Sequence, residues 1–164
     1  MPVRRALLPL VALLALAPAA GAHGASAPAC PPRDRHAPLS ARTGAGGALV
    51  AGRPSAVLLC RYRGVNPSST AFRLAARRLV TAPAAVGSLR SALDALTPTH
   101  RALPCPLATG AAVIAWFRYR SGPPDPVAIG LDGCMNVTNG HVHRVAGVQA
   151  PGRRAVAAVK RLTP

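Results

Sequence analysis

Two histidines and an aspartate near the carboxyl-terminal end of the chain are the side chains best suited to chemistry. His141 and His143 stand two residues apart on a predicted strand. This i,i+2 spacing places both imidazoles on one face of the strand, as in some metal sites. The candidate third ligand is Asp132, in an Asp-Gly turn, or His100, and Asp132 is also a candidate general base. A histidine pair alone is a weak signal, and nothing in the sequence places either candidate near it. We therefore predict no metal and no cofactor, and keep an envelope enzyme or enzyme inhibitor using Asp132, His141 and His143 as the alternative function.

Other catalytic patterns are missing from the sequence. The four acidic residues are all aspartates and are scattered along the chain, so no carboxylate pair for glycoside hydrolysis is predicted. No serine stands in a G-x-S-x-G pattern. The Gly-rich stretch Gly44–Ala48 lacks the Lys and Ser or Thr that a phosphate-binding loop requires. These observations favour a non-enzymatic protein.

Two Arg-Tyr-Arg triplets stand on two predicted strands. They are Arg61-Tyr62-Arg63 and Arg118-Tyr119-Arg120. If the two strands are neighbours, the triplets form a basic and aromatic patch suited to an anionic polymer or a single-stranded nucleic acid. The simpler interpretation is that arginines fill solvent-facing positions while the tyrosines lie at the edge of the core. We predict Arg61, Arg63, Arg118 and Arg120 as the anion-binding residues.

The chain is strongly basic. Of its 164 residues 20 are Lys or Arg and four are acidic, which gives a formal net charge of +16. Such a charge favours anionic partners: nucleic acid, teichoic-type cell-wall polymers or acidic lipid head groups. The abundance of Ala, Gly, Pro and Arg also fits a GC-rich genome, so the charge has two candidate origins. The surface is positive under either one.

The amino-terminal segment predicts export. Arg4 and Arg5 precede the apolar run Ala6–Ala17, and a small-x-small cleavage site follows, as in a secretory signal peptide over residues 1–22. The run is too short to span a bilayer comfortably, because a spanning helix needs about 20 apolar residues. Removing residues 1–22 lowers the formal net charge to +14, since two arginines go with them. The predicted location is secreted, and the mature chain has no predicted membrane span.

The elements that must position these side chains follow from periodicity and turn signals. We predict an irregular Pro-, Gly-, Ala- and Arg-rich arm over 23–54, an α+β domain over 55–150 and a basic helix or tail over 151–164. The predicted strands are Ser55–Gly64, Ala76–Val80, Ala111–Arg120, Val127–Leu131 and His141–Val148, and the predicted helices are Pro83–Leu96 and Pro151–Leu162. Thr81 is the predicted N-cap, and Asp132–Gly140 is predicted as a turn. The fold class is a small antiparallel sheet with one or two helices packed on one face.

Four cysteines in a secreted chain imply two disulfides with three possible connectivities. No C-x-x-C spacing supports a redox or zinc motif. A hairpin that pairs position 119 with about 127, and 113 with about 133, brings Cys134 beside the loop that carries Cys105. We therefore predict Cys105–Cys134 and Cys30–Cys60, with Cys60–Cys134 as the runner-up. Each predicted bridge stabilises by about 3–4 kcal/mol in the chain-entropy model.

Three separated pieces of the sequence form a recognisable series. CRYRG at Cys60–Gly64, the Cys105-Pro106 pair and LDGCMNVTNG at Leu131–Gly140 occur in that order. Together they resemble a set of small secreted actinobacterial proteins that show C-R-Y-x-G, C-P and G-C-x-x-V-T-N-G. The resemblance implies compartment and architecture and no particular chemistry. We predict a secreted, disulfide-stabilised, non-enzymatic protein that binds an anionic cell-envelope polymer or an extracellular protein.

Overall fold

In the part of the chain that the structure describes, six antiparallel strands and two helices make up the fold. A computed structural model describes residues 29–33, 39, 46–65, 72–99 and 103–164. The elements in chain order are β1 Ala56–Tyr62, β2 Leu74–Val80, α1 Pro83–Asp94, β3 Ala112–Arg118, β4 Asp125–Gly130, β5 Asn136–Thr138, β6 His143–Val145 and α2 Ala150–Leu162. The strands form one sheet in the order β2-β1-β3-β4-β5-β6. The predicted α+β class is confirmed.

Period-two alternation in the central strands separates the two faces of the sheet. One face turns Leu59, Phe117 and Ile129 towards both helices, and these side chains are fully buried in the main core. The helices contribute apolar stripes to the same core, namely Val86, Leu89 and Leu93 from α1 and Ala155, Val156 and Val159 from α2. Burying one large apolar side chain stabilises the fold by about 1.5–3 kcal/mol. Both helices therefore pack on one face, as predicted.

The opposite face carries a smaller cluster beneath the amino-terminal arm. Cys60, Tyr62, Ile114 and Trp116 form it. Cys30 is bonded to Cys60, and the Tyr62 hydroxyl donates to the Pro31 carbonyl at 3.0 Å. Tyr62 is therefore fully buried beneath the arm rather than at the edge of the core.

The two helices cross the sheet in opposite directions. After α1, the Leu96 carbonyl accepts a hydrogen bond from Arg144 Nε, and the Thr97 N–H donates to Gln149 Oε1. These contacts place the end of α1 beside β6 and the start of α2. Helix α2 then returns to β1, where Arg61 Nη1 donates to the Thr163 carbonyl at 2.6 Å. The N-cap of α1 is Ala82, without a side-chain hydrogen bond, so the prediction of Thr81 is wrong.

Both disulfides have the predicted connectivity, Cys30–Cys60 and Cys105–Cys134. The hairpin register differs from the prediction, because Val113 pairs with Ile129 rather than with a residue near 133. The connection between the two strands has the predicted length of six residues but lies two positions earlier, at 119–124, since β3 ends at Arg118 and β4 begins at Asp125 and includes Pro126.

Two segments predicted to be irregular belong to the ordered body. Leu49 and Val50, from the predicted arm, are buried in the main core. The predicted turn Asp132–Gly140 contains β5, whose Val137 is also buried. The predicted signal peptide, residues 1–22, lies outside the described residues. Within the described ranges, no helix is long and apolar enough to cross a membrane.

Candidate functional site

The two Arg-Tyr-Arg triplets lie at opposite ends of a strand pair. β1 and β3 are neighbours, as the patch hypothesis requires, but they run antiparallel, with Tyr62 opposite Ala112 and Arg118 opposite Ala56. Six residues of extended chain separate these ends, which is about 20 Å. The predicted joint patch is therefore not assembled.

Each triplet residue has its own surroundings. The guanidinium of Arg61 donates a hydrogen bond to the Thr163 carbonyl at the end of α2. Arg63 is exposed at that same end of the sheet. At the other end, Arg118 is half-buried, Arg120 is exposed, and the Tyr119 hydroxyl donates to the Ala51 carbonyl at 2.6 Å. The anion-binding assignment is thus split between two surfaces.

Arg120 belongs to a cleft that the sequence did not indicate. The cleft, which we call the arginine cleft, has a volume of about 870 Å³ and lies between the β3–β4 turn, the segment before β1 and the first half of α1. It is lined by Arg53, Pro54, Ser55, Pro83, Gly87, Arg90, Tyr119, Arg120 and Ser121. None of these described lining residues is a carboxylate, an imidazole or a thiol. The lining therefore offers anion binding by guanidinium groups rather than proton transfer.

Buried hydrogen bonds hold the segment that carries Arg53. The Ala51 N–H donates to Asp125 Oδ2 at 3.0 Å, and the Ala51 carbonyl accepts from the Tyr119 hydroxyl. On the other side of Arg53, the Ser55 N–H donates to the Arg118 carbonyl at 2.8 Å. Arg53 itself is exposed between these two anchors. Its backbone is therefore positioned while its side chain is accessible to a ligand.

The third arginine of the cleft, Arg90, forms an ion pair with Asp94 on α1. Arg90 Nε lies 3.2 Å from Asp94 Oδ2, four residues and about one helical turn away. The contact is a charge contact without good hydrogen-bond angles. Asp94 also accepts from the Val50 N–H through Oδ1 at 3.0 Å, which ties α1 to the core segment. Because Asp94 offsets part of its charge, Arg90 contributes less to the arginine cleft than Arg53 and Arg120.

The three carboxylates within the described residues are all engaged in holding the fold. Asp125 is fully buried and accepts from the Ala51 N–H. Asp94 joins Val50 and Arg90. Asp132 accepts from both the backbone N–H and the hydroxyl of Thr109. No described carboxylate is thus left to form a catalytic pair, and none lines the arginine cleft.

Asp132, His141 and His143 are not brought together. The β5–β6 register pairs His143 with Thr138, whereas the turn containing Asp132 is held beside Gly147 by the hydrogen bond from the Gly147 N–H to the Cys134 carbonyl. Four residues of extended chain, about 13 Å, separate His143 from Gly147. Within the described ranges, no three His, Cys, Asp or Glu side chains cluster in a way that could hold a metal ion.

The residues of the three sequence pieces CRYRG, Cys105-Pro106 and LDGCMNVTNG make contacts that hold the fold together. The side chain of Asn139, fully buried, donates to the Ala48 and Leu49 carbonyls at 3.2 Å and accepts from the N–H groups of His141 and Val142. At the other end of the sheet the three pieces meet, through the Cys105–Cys134 bridge and through Thr109, which contacts both Gly64 and Asp132. These motif residues thus specify the architecture rather than a reaction site.

No protein-family model, curated protein or solved structure matches the chain. The resemblance to small secreted actinobacterial proteins stays a prediction, and the geometry of the arginine cleft carries the functional argument. Sequence reasoning missed Arg53, because it stands in the predicted arm, and Arg90, because its i,i+4 partner explained it. The only sequence signal was the general excess of arginine.

Proposed function

We propose that the protein is secreted and binds an anionic cell-envelope polymer, without catalysis, through the arginine cleft. The main support for this proposal is that Arg53, Arg90 and Arg120 line one concave surface whose described lining contains no acidic residue. Planar guanidinium groups bind phosphate and carboxylate oxygens with paired hydrogen bonds. The cleft also lies beside the first half of α1, and the first turn of that helix carries no acidic residue that would offset the positive end of its dipole.

A polymer fits this surface better than a small metabolite. The cleft is open to solvent, and Arg53 and Arg120 are both exposed at its rim. Further arginines are exposed outside it, on β2 and on the outer side of α2, so a long anion meets positive potential along its length. A phosphodiester polymer of the cell wall has this repeating charge.

Export is supported by two separate features. The predicted signal peptide over residues 1–22 directs the chain out of the cytoplasm. The two disulfides, with no free cysteine among the described residues, fit an oxidising compartment. An extracellular protein with a positive cleft meets the anionic wall as its nearest large ligand.

The test compares two double variants with the same change in charge. Arg53→Ala with Arg120→Ala removes the exposed cleft arginines, and Arg63→Ala with Arg77→Ala removes two exposed arginines elsewhere on the sheet. Binding to teichoic-acid-bearing cell walls is measured between about 50 and 200 mM salt, over which phosphate contacts lose affinity steeply. We expect the cleft variant to bind at least about tenfold more weakly than the matched control, with a slope of log affinity against log salt lower by about two.

Equal losses in the two double variants would show that net charge alone drives retention, and would remove the cleft from the proposal. Retention that does not depend on salt would reject electrostatic binding altogether. Stronger binding to single-stranded DNA than to cell walls, by the unmodified protein, would replace the proposed ligand by nucleic acid.

A further inference from the structure

The loop before β3 presents one bare apolar side chain. Leu107 is 97% exposed, whereas the other exposed large hydrophobic residues in the described part of the chain are 48–62% exposed. The loop, residues 103–110, has the sequence LPCPLATG and contains no charged residue. It lies at the opposite end of the sheet from the arginine cleft, beside the end of β1. Nothing in the proposed polymer binding uses it.

The backbone on the amino-terminal side of Leu107 is stiff. Pro104 and Pro106 have fixed φ angles near −65°. Each proline also restricts the residue before it, Leu103 or Cys105, to extended conformations. Within residues 103–109 no residue has a positive φ and no peptide bond is cis. The chain therefore approaches Leu107 as an extended segment, the form in which proteases bind substrates.

Anchors stand on both sides of Leu107. Two residues before it, Cys105 is bonded to Cys134. Two residues after it, Thr109 donates through its N–H and its hydroxyl to Asp132, and its carbonyl accepts from the Val65 N–H. The loop is thus held to two other segments of the fold while Leu107 points into solvent.

Close packing beneath the loop adds to this bracing. Gly133 has φ +59°, and a Cβ placed on it would lie 2.7 Å from the Cβ of Ala108. A Cβ on Gly64 would collide with Thr109. The backbones of two neighbouring segments therefore support the loop directly, and ordering it on binding costs little further entropy.

We propose that this loop inhibits an extracellular serine endopeptidase whose specificity pocket is deep and apolar, with Leu107 as the side chain that enters the pocket. Leu107 is fully available, the loop residues on either side of it in the chain are uncharged, and the extended backbone can pair with the substrate-binding strand of a protease. Leu107–Ala108 is then the bond aligned with the catalytic serine. The partner class follows from the shape and chemistry of the loop, independently of the arginine cleft.

The anchors explain why such a loop inhibits instead of being consumed. Hydrolysis would add one water across the Leu107–Ala108 bond, leaving a carboxylate on Leu107 and an ammonium group on Ala108. The disulfide at Cys105 and the hydrogen bonds of Thr109 would hold both new ends in place. Before water enters, the catalytic serine has displaced the Ala108 amine and holds the Leu107 carbonyl as an ester. The retained amine can attack this ester and expel the serine hydroxyl, so the peptide bond is re-formed in competition with hydrolysis and release. A preorganised loop also dissociates slowly, because binding costs it little ordering.

The test uses the complete secreted chain against chymotrypsin and subtilisin with a chromogenic peptide substrate. We expect competitive inhibition with an inhibition constant below about 1 µM, in keeping with braced inhibitor loops. Leu107→Asp should raise that constant by at least about 100-fold, because a carboxylate is costly in an apolar pocket. The matched control is Leu79→Asp, which places the same charge at a half-exposed leucine opposite Leu58, towards the other end of the sheet, and should leave the inhibition constant unchanged.

Leu107→Arg gives an independent test, since it should transfer inhibition from chymotrypsin to trypsin, whose pocket carries an aspartate. Leu107 is so exposed that none of these variants should alter folding, which circular dichroism checks. The proposal is overturned if the inhibition constant is the same with Asp at position 107, or if the unmodified chain is cut at Leu107–Ala108 as an ordinary substrate without inhibiting.

Discussion

The two ends of the sheet carry opposite kinds of surface. At the end where β3 finishes and β4 begins, three arginines line a recessed cleft. At the other end, an uncharged loop projects Leu107 beyond the fold. Charge acts over a Debye length of about 8–10 Å and weakens with salt, whereas an apolar side chain acts on contact alone. One small sheet can therefore attract one kind of partner at long range and select another by shape.

The ends also differ in what is held rigid. In the arginine cleft the backbone is anchored around Arg53, but the arginine side chains have rotamer freedom worth about 2 kcal/mol each. In the loop the anchors hold the backbone itself, and the side chain to be buried is a leucine. Flexible charges tolerate many anions, while a fixed backbone suits one binding geometry. We expect low specificity at the cleft and high specificity at the loop.

Removing the Cys105–Cys134 bridge should have the largest effect, because it should abolish inhibition at the loop while leaving polymer binding at the arginine cleft unchanged. Cys105→Ser with Cys134→Ser should lower the free energy of unfolding by about 2–5 kcal/mol. With one anchor of the loop gone, protease inhibition should turn into cleavage at Leu107–Ala108. Retention on cell walls should be unchanged at temperatures where the variant is folded. Calorimetry, a protease assay and salt elution measure the three effects.

The other disulfide provides the control for this experiment. Cys30→Ser with Cys60→Ser opens a loop of nearly the same span, 30 residues against 29, so the loss of stability should be similar. Inhibition should survive, because the Cys30–Cys60 bridge does not hold the loop. If both double variants lose inhibition equally, global stability rather than local bracing supports the inhibitory loop.

Asn139→Ala should lower the affinity of the arginine cleft for cell walls and leave protease inhibition by the loop unchanged. The side chain makes four hydrogen bonds, all buried or partly buried, and two of them join it to the carbonyls of Ala48 and Leu49, whose segment leads into the cleft. Leaving such groups without partners should lower the free energy of unfolding by about 2–3 kcal/mol. Cell-wall affinity should fall modestly, with inhibition unchanged. Asn136→Ala, an exposed neighbour on β5, is the matched control in denaturant titrations and should stay within about 0.5 kcal/mol of the parent chain.

Asp132→Ala should have the smallest effect on stability and a selective effect on the loop. It removes the acceptor for the Thr109 N–H and hydroxyl, which should lower the free energy of unfolding by about 1–2 kcal/mol because the site is partly exposed. The rate of cleavage at Leu107–Ala108 should rise, as seen by mass spectrometry of timed digests. Asp132→Asn keeps an acceptor oxygen and should restore much of the resistance; no difference between the Ala and Asn variants would argue against this anchor.

Periodicity predicted both helices and five of the six strands, because these depend on local patterns, whereas β5 lies in a segment predicted as a turn. The Cys105–Cys134 prediction was right although its hairpin register was off by four positions, since a loop as long as 103–110 accommodates such an error. The position of Tyr62 and the burial of Leu49 were missed, because both depend on an arm whose composition resembles a loop. The cleft was missed for a related reason: Arg53, Arg90 and Arg120 are far apart in sequence and meet only through tertiary packing.

The arrangement of the disulfides bears on how the chain would acquire them during the proposed export. Each bridge joins two cysteines that are consecutive in the chain, Cys30 with Cys60 and Cys105 with Cys134. A chain that emerges amino end first on the oxidising side of a membrane meets its cysteines in that order. Oxidation in order of emergence then yields the native pairing without reshuffling, a step that otherwise takes seconds to hours. If the chain is exported as proposed, we expect its native pairing to form without a disulfide isomerase.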